Sequence, residues 1–575
     1  MKKIKLNYLP SFVAAALILS GCAGLTKMRD NAPTVSYQVK PNPLETHKGE
    51  VTVTVDTKYP EKYFNKKAVV VATPVLKYEG GQKEFESTTL QGESVKANNK
   101  VIPYAGGSYS YTGTIPYTPE MMKSELFVKM SARIKEKTPV EFSSLKIADG
   151  VIATSTLLHE RPKTIMVGDK FVRITPESYK ADIHYVINKY DVRKSELKSD
   201  DVTAFETALK DAKAAGNKQL KGAKISAYAS PDGPLDLNEK LSGNRGGSAE
   251  KYLKKAFKDN KITEAEAAEF LSMISTAEDW EGFKELMEKS SIQDKELILR
   301  VLSMYSDPVV REKEIKNISK AYEDIAVEVL PQLRRSVMTV DVDVIGLSDE
   351  EILAKAKSEP DSLKLEEILY AGTLTKDLDE KLNIYKAAAT KYPDDPRTFI
   401  NLGHVAMEKG LVPVAKEAFE KAKALKDDEV VKANLGAVAL AEGDLATAEN
   451  LLSAGMGAGD AASYNLGIIK VKQGDYAAAV NYFGSKPSFN AALAQLLNGN
   501  NDKALSVLNE LGDDVCACVY YLKAVASARA GKDDGVFVNL RNAIGKDSKW
   551  KDYALKDAEL LKYAGTEAFK AVVGN

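Results

Sequence analysis

Two markers recur in register through the last third of the chain. Asn-Leu-Gly stands at 401–403, 434–436 and 465–467, and a second Gly stands at 410, 443 and 474, so both markers advance by steps of 33 and 31 residues. A period of this length marks a supersecondary unit that cannot bury its apolar face alone and does so by stacking on its neighbours. Each second Gly is followed five residues later by Ala415, Ala448 or Ala479, and then by Phe419, Leu452 or Phe483. The text between the markers has helical periodicity, so the region is expected to be an all-α array.

This pattern resembles the tetratricopeptide repeat (TPR). In that family the first Gly and the Ala let paired helices approach closely, while the bulky residue, here Phe419, Leu452 or Phe483, fills the gap between them. Degenerate units fit around Tyr385 and Ala388, around Gly499 and Ala504, and around Gly531, so the resemblance covers about 363–546, with a closing helix after Trp550. Asn401, Asn434 and Asn465 recur at one place in successive units, so stacking should line them along one concave wall. There they can hydrogen-bond the backbone of an extended peptide or bond within their own helix pair. The resemblance implies a protein or peptide partner in the groove.

At the other end, Lys2, Lys3 and Lys5 precede an apolar run from Phe12 to Leu19. That run is too short to span a bilayer core of about 30 Å, and it reads as a signal peptide over residues 1–21. It ends in Leu19-Ser20-Gly21-Cys22, which resembles the lipobox of bacterial lipoproteins and implies acylation of Cys22. Ala23 is not the Asp associated with inner-membrane retention, so the expectation is a lipid-anchored protein on the periplasmic face of the outer membrane.

Between these ends the character of the sequence changes twice. Residues 34–160 alternate, as in Val51-Thr-Val-Thr-Val-Asp56, with Gly, Pro and Asn punctuation, and predict an all-β sandwich. Residues 164–346 read as an α/β domain with a helical insertion at about 260–335, ending in the strand Val337–Ile345. Residues 347–575 form the TPR-like domain, opened by Ser348 and Glu351 at capping-box spacing. Inside the α/β segment, Ile225 to Leu253 reads as a buried strand, a Pro-Asp-Gly turn and an amphipathic helix.

Tyr228, Gly233, Asn238, Leu241, Ser242, Arg245, Tyr252 and Leu253 follow the order of the OmpA-like signature without a gap, and the segment resembles the diverged OmpA-like domains of Bacteroidota. In the family an Asp at the strand end and an Arg grip the diaminopimelate of peptidoglycan. Here Ser230 stands at the Asp position, Asp232 follows two residues on, and Arg245 keeps the Arg. Ser230, Asp232, Asn238 and Arg245 are the candidate peptidoglycan-binding residues. Arg245 can equally be a helix-surface Arg bridging a carboxylate, and Asp232 a turn former. Gly246 and Gly247 replace the usual Ala and polar residue and are expected to loosen the helix.

Lys plus Arg number 80 against 81 Asp plus Glu, a net charge of -1, which provides no field to attract nucleic acid. Four scattered His and three Cys make no metal-ligand spacing, and phosphate loops, nucleophile elbows and dinucleotide fingerprints are absent, so no metal, cofactor or catalytic constellation is expected. Cys516 and Cys518 read as packing residues on opposite sides of a helix. Tyr104, Tyr109, Tyr111 and Tyr117 suit either sugar stacking or cross-strand packing, the commoner use. The sequence thus predicts a non-enzymatic outer-membrane scaffold acting through its TPR array, with a peptidoglycan tether as the alternative.

Overall fold

The computed structural model describes residues 24–512 and 514–574, and of residues 319–321 the backbone only. The signal segment 1–21 and the lipidation site Cys22 lie outside the described residues. The chain forms two compact units, one of residues up to Val167 together with those from Ala389, the other Gly168–Ala388. These units cut across the boundaries expected at 164, 346 and 347. Residues 164–167 are held by hydrogen bonds to repeat helices of the first unit, and in the second unit Arg173 donates to the Leu347 carbonyl at 3.1 Å.

The N-terminal part of the first unit is sheet-rich. Strand Glu50–Tyr59 pairs antiparallel with Ser36–Lys40 and with Gly107–Pro116. Its Val51, Val53 and Val55 are buried, while Thr52 and Thr54 face outward and share hydrogen bonds with Thr114 and Thr112 at 2.9 and 3.0 Å. Such cross-strand pairs fix the register, because a one-residue slip would bring every Val to the surface. A second sheet is centred on Ala68–Tyr78 paired antiparallel with Ser124–Ile134. Leu76 and Leu126 from this sheet share one core with the three valines. The tyrosines divide: Tyr111 is buried and donates to the Glu86 carbonyl at 2.8 Å, Tyr109 bonds Thr88 at 2.9 Å, and Tyr104 stays exposed beneath Lys66.

From Pro396 the first unit is helical and TPR-like. Pro396–Glu408 is followed by Val412–Leu425, Glu429–Glu442 by Leu445–Ala454, and Asp460–Lys472 by Tyr476–Phe483. Phe489–Leu497 with Asn501–Glu510 and Ala517–Arg529 with Asp533–Lys546 continue the series. The turns inside these pairs need a left-handed residue, and Gly410, Gly443, Gly474, Gly499 and Gly531 supply it with φ of +74°, +86°, +71°, +81° and +69°. The first marker glycines work differently. A Cβ on Gly403, Gly436 or Gly467 would sit 2.5, 2.7 or 2.6 Å from Phe419, Leu452 or Phe483, so the paired helices touch through bare backbone.

In the second unit the sheet order is Ile174–His184, Arg335–Ile345, Lys218–Tyr228, Leu271–Thr276. Arg335–Ile345 runs antiparallel to both of its neighbours, and the last strand runs parallel to Lys218–Tyr228. The expected helical insertion therefore opens with a strand, and its helices run from Trp280 to Leu333 around their own core of Phe283, Met287, Ile298 and Leu333. Helices Asp200–Ala214 and Leu235–Asp259 cover the sheet through Phe205, Leu209, Ala249 and Leu253. Gly246 has a packing role in this helix. It lets the helix lie close, because a Cβ there would meet Met273 Sδ at 2.5 Å and Ala227 Cβ at 3.3 Å.

Candidate functional site

The Asn row of the first unit faces the chain's own backbone. Asn401 accepts the Val167 N–H at 2.8 Å and donates to the Val167 carbonyl at 2.9 Å. Asn434 does the same to Ile165 at 2.7 and 2.9 Å, and Asn465 to Lys163 at 2.8 and 2.7 Å. A fourth residue, Asn490, clamps His159 at 3.0 and 2.8 Å. All four side chains are at most 1 % exposed. A carboxamide offers one acceptor and one donor side by side, which matches the N–H and C=O of a single extended residue. Alternate residues 163, 165 and 167 present that edge to the same side, as period-2 backbone must.

The remaining contacts order the same segment. The His159 ring stacks on Phe489 with centroids 4.0 Å apart, and burial holds its pKa below the usual histidine range. Lys163 Nζ lies 3.8 Å from the centroid of the Tyr464 ring, and burial lowers its pKa too. Thr164 Oγ1 is 2.8 Å from His404 Nδ1, Glu160 pairs with Lys472 at 2.6 Å, and Arg161 donates to the Glu408 carbonyl. Pro162 biases Arg161 toward extended backbone and contributes no N–H of its own. The groove is thus filled by the linker that leaves the sheet-rich part. Asn490 escaped the sequence reading because Ala-Ala follows it where the other units carry Leu-Gly, although the asparagine itself was a usable signal.

At the His159 end of this segment lies a cleft of about 860 Å³ lined mainly by apolar groups, among them Tyr117, Leu157, Phe489, Trp550 and Tyr553. Cys516 and Cys518 also line it, and they are joined in a disulfide with Cα atoms 5.3 Å apart. This corrects the reading of two packing residues on opposite helix faces. Cys516 has extended backbone at the N-cap position of the helix that begins at Ala517, so the two sulfurs are not separated by helical geometry.

Ser230, Asp232, Asn238 and Arg245 of the second unit also come together around the strand end and the turn. Arg245 is 1 % exposed, and its Nε and Nη1 donate to the carbonyls of Lys189 and Tyr228 at 3.1 and 2.9 Å. Burial, with Arg334 nearby, pushes its pKa down to about 10. Asp232 pairs with Arg334 at 3.2 Å and accepts from Ser230, whose Oγ also accepts from Arg334 Nε at 3.2 Å. Asn238 donates to the Ser230 and Gly233 carbonyls at 3.1 and 3.0 Å, tying the turn to the helix. Arg245 is therefore neither a surface bridge nor an open clamp but a buried brace between strand end and loop. Among the described residues, no cluster of three or more His, Cys, Asp or Glu could hold a metal, and no helix is long and apolar enough to cross a membrane.

No protein family and no curated protein matches the chain. Among solved structures it is similar to a tetratricopeptide repeat protein from Parabacteroides merdae ATCC 43184, at 16% identity and a TM-score of 0.29 over 40% of this chain and 91% of that one. It is also similar to the APC/C hetero-tetramer Cut9-Hcn1, at 15% identity and a TM-score of 0.31 over 59% and 77%. A third is YrrB, a TPR protein with an unusual peptide-binding site, at 19% identity and a TM-score of 0.20 over 36% and 100%. At these TM-scores the repeat assignment rests on the chain's own glycines and helix pairs.

Proposed function

We propose that the chain is a non-enzymatic envelope scaffold, anchored to the periplasmic face of the outer membrane through an acylated Cys22. In this reading the TPR-like array clamps its own linker and presents partner proteins with surfaces outside the Asn row. The observation that carries it is the set of paired hydrogen bonds from Asn401, Asn434, Asn465 and Asn490 to Val167, Ile165, Lys163 and His159. Such a groove reads backbone rather than side chains, and here it is supplied in cis at an effective concentration that a free peptide cannot match. The 225–253 block enters as a diverged OmpA-like element. Peptidoglycan tethering is the less favoured reading, because Arg245 is spent on two carbonyls and Asp232 on Arg334.

The test is the full chain carrying Asn401→Ala, Asn434→Ala and Asn465→Ala together. Trypsin should cut after Lys163 about a hundredfold faster than in wild type, with helicity kept, because six hydrogen bonds to the linker are gone. Envelope proteins that co-purify with wild type should remain bound. Loss of those proteins would make the groove a partner site in trans, and unchanged cleavage would dismiss the clamp. Cys22→Ser should move the protein from membrane to soluble fractions, and its retention on membranes after a salt wash would dismiss the lipid anchor.

A further inference from the structure

The Cys516–Cys518 disulfide is not explained by the scaffold. A cross-link between residues two apart closes almost no loop, so it removes less unfolded-chain entropy than any longer bridge. It also stands in the open: Cys516 is exposed and Cys518 half-buried, and both border the apolar cleft. Structural disulfides are resistant to exchange largely because thiols cannot reach them, and reachable ones are the labile class.

We propose that Cys516 and Cys518 form a thiol–disulfide exchange site that oxidises a dithiol polypeptide seated in the adjoining cleft. Cys516 is the N-cap of the helix Ala517–Arg529, where unsatisfied backbone N–H groups and the helix dipole favour a thiolate. This favours the reduced, leaving form of Cys516 and makes the bonded pair an oxidant. A substrate thiolate attacks the exposed Sγ of Cys516, a substrate–Cys516 bond forms, and Cys518 leaves as a thiolate that takes up a proton. The second substrate thiolate then attacks the substrate sulfur of that mixed disulfide and releases Cys516 as the stabilised thiolate. The substrate loses two electrons and its two thiol protons, one of which ends on Cys518 and the other in water or on Cys516. The reductant is the substrate dithiol itself, and the exchange is stoichiometric, one substrate disulfide for each chain.

The cleft defines the substrate class. Tyr117, Leu157, Phe489, Trp550 and Tyr553 offer aromatic and aliphatic surface within the same cavity as the sulfurs, so the site suits cysteines flanked by apolar residues in an extended polypeptide. This inference is independent of the scaffold reading, since the Asn row and the disulfide share no residue.

The experiment uses the full chain purified without reductant, mixed with a reduced peptide carrying two Cys next to Phe, and separately with the same peptide carrying Gly for Phe. Thiol titration and mass spectrometry should find one peptide disulfide per chain, and two protein thiols beyond the count in a Cys516→Ser/Cys518→Ser variant. The Phe peptide should react about tenfold faster than the Gly peptide. In Cys518→Ser, the free Cys516 should form a mixed disulfide with oxidised peptide about tenfold faster at pH 6 than the free Cys518 of Cys516→Ser. A disulfide that stays intact in millimolar peptide, or peptide oxidation at the same rate by the double Ser variant, overturns the proposal. Equal rates for the Phe and Gly peptides overturn the assignment of the cleft. The count of peptide disulfides per chain and the comparison of Phe and Gly peptides need only wild-type protein, so a variant that misfolds does not remove the test.

Discussion

Asn434 holds Ile165 by both of its backbone groups, accepting the N–H at 2.7 Å and donating to the carbonyl at 2.9 Å across 269 residues of sequence. Asn434 is fully buried and Ile165 half-buried, so water can replace these bonds only in part. Asn434→Ala should therefore cost about 1–3 kcal/mol, the penalty of weakening the pairing of an N–H and a C=O of Ile165. Asn434→Asp should cost at least as much, since a carboxylate can accept from the N–H but faces the carbonyl with like polarity. Amide exchange at Ile165 and Lys163, rising while exchange in the helices is unchanged, is the measurement. Protection equal to wild type would show that the side chain is dispensable.

The glycine seams should be as sensitive as the Asn row, for a different reason. In Gly403→Ala the new methyl would lie 2.5 Å from the Phe419 ring, an overlap that forces the helix pair apart. Overpacking of this kind costs about 1–3 kcal/mol. Phe419→Leu in the Gly403→Ala background should recover part of the loss, while alone it should destabilise. Urea unfolding followed by helical circular dichroism gives the double-mutant cycle, and strictly additive losses would mean that the two residues do not oppose each other.

What was legible in the sequence was what repeats or alternates. The left-handed glycines, the bare-backbone seams and the Asn positions all sit at fixed offsets, and the valines of Glu50–Tyr59 alternate as half-buried strands do. What was not legible was the occupant of the groove. Residues 159–167 form neither a helix nor a sheet strand, and their partners lie 234 to 331 residues away, so no local period encodes them. The edge strand Leu271–Thr276 was missed for a related reason: Met273 and Ile274 are 45% and 51% exposed, so the alternation that betrays a strand is absent. For Arg245 the motif suggests a ligand clamp and the helix pattern a surface Arg, and neither signals burial. Its burial depends on Tyr185, Lys189 and Tyr228 arriving from elsewhere in the fold.

Arg245→Ala should act on stability and leave wall binding as it is in wild type. The side chain braces the carbonyls of Lys189 and Tyr228 from a nearly sealed position, and its removal strands both acceptors, at a cost of about 3 kcal/mol. Arg245→Lys should recover little, since one ammonium cannot reproduce two directed N–H donors. Hydrogen exchange across strand Lys218–Tyr228 should quicken in both variants, while co-sedimentation with purified peptidoglycan stays at the wild-type level. A drop in sedimentation without faster exchange would return Arg245 to the role of ligand clamp.

The pH dependence of the first unit should be set in part by Asp557. Burial, reinforced by the charge of Glu559, raises its pKa from 3.8 to about 6, against the opposing pull of Arg529 and of bonds donated by Tyr521 at 2.6 Å and the Glu559 N–H at 3.0 Å. A carboxyl whose folded pKa lies above its unfolded one adds stability that is fully present below the unfolded value and is lost as pH rises through the folded value. The window is therefore about pH 4 to 6, and above it the ionised carboxylate costs on the order of 3 kcal/mol. Asp557→Asn keeps an acceptor for the Glu559 N–H but cannot ionise. The variant should melt higher than wild type at pH 8, and the gap should close as pH falls to 4. Melting curves of wild type and Asp557→Asn that run parallel from pH 4 to 8 would show that Asp557 does not titrate in this range.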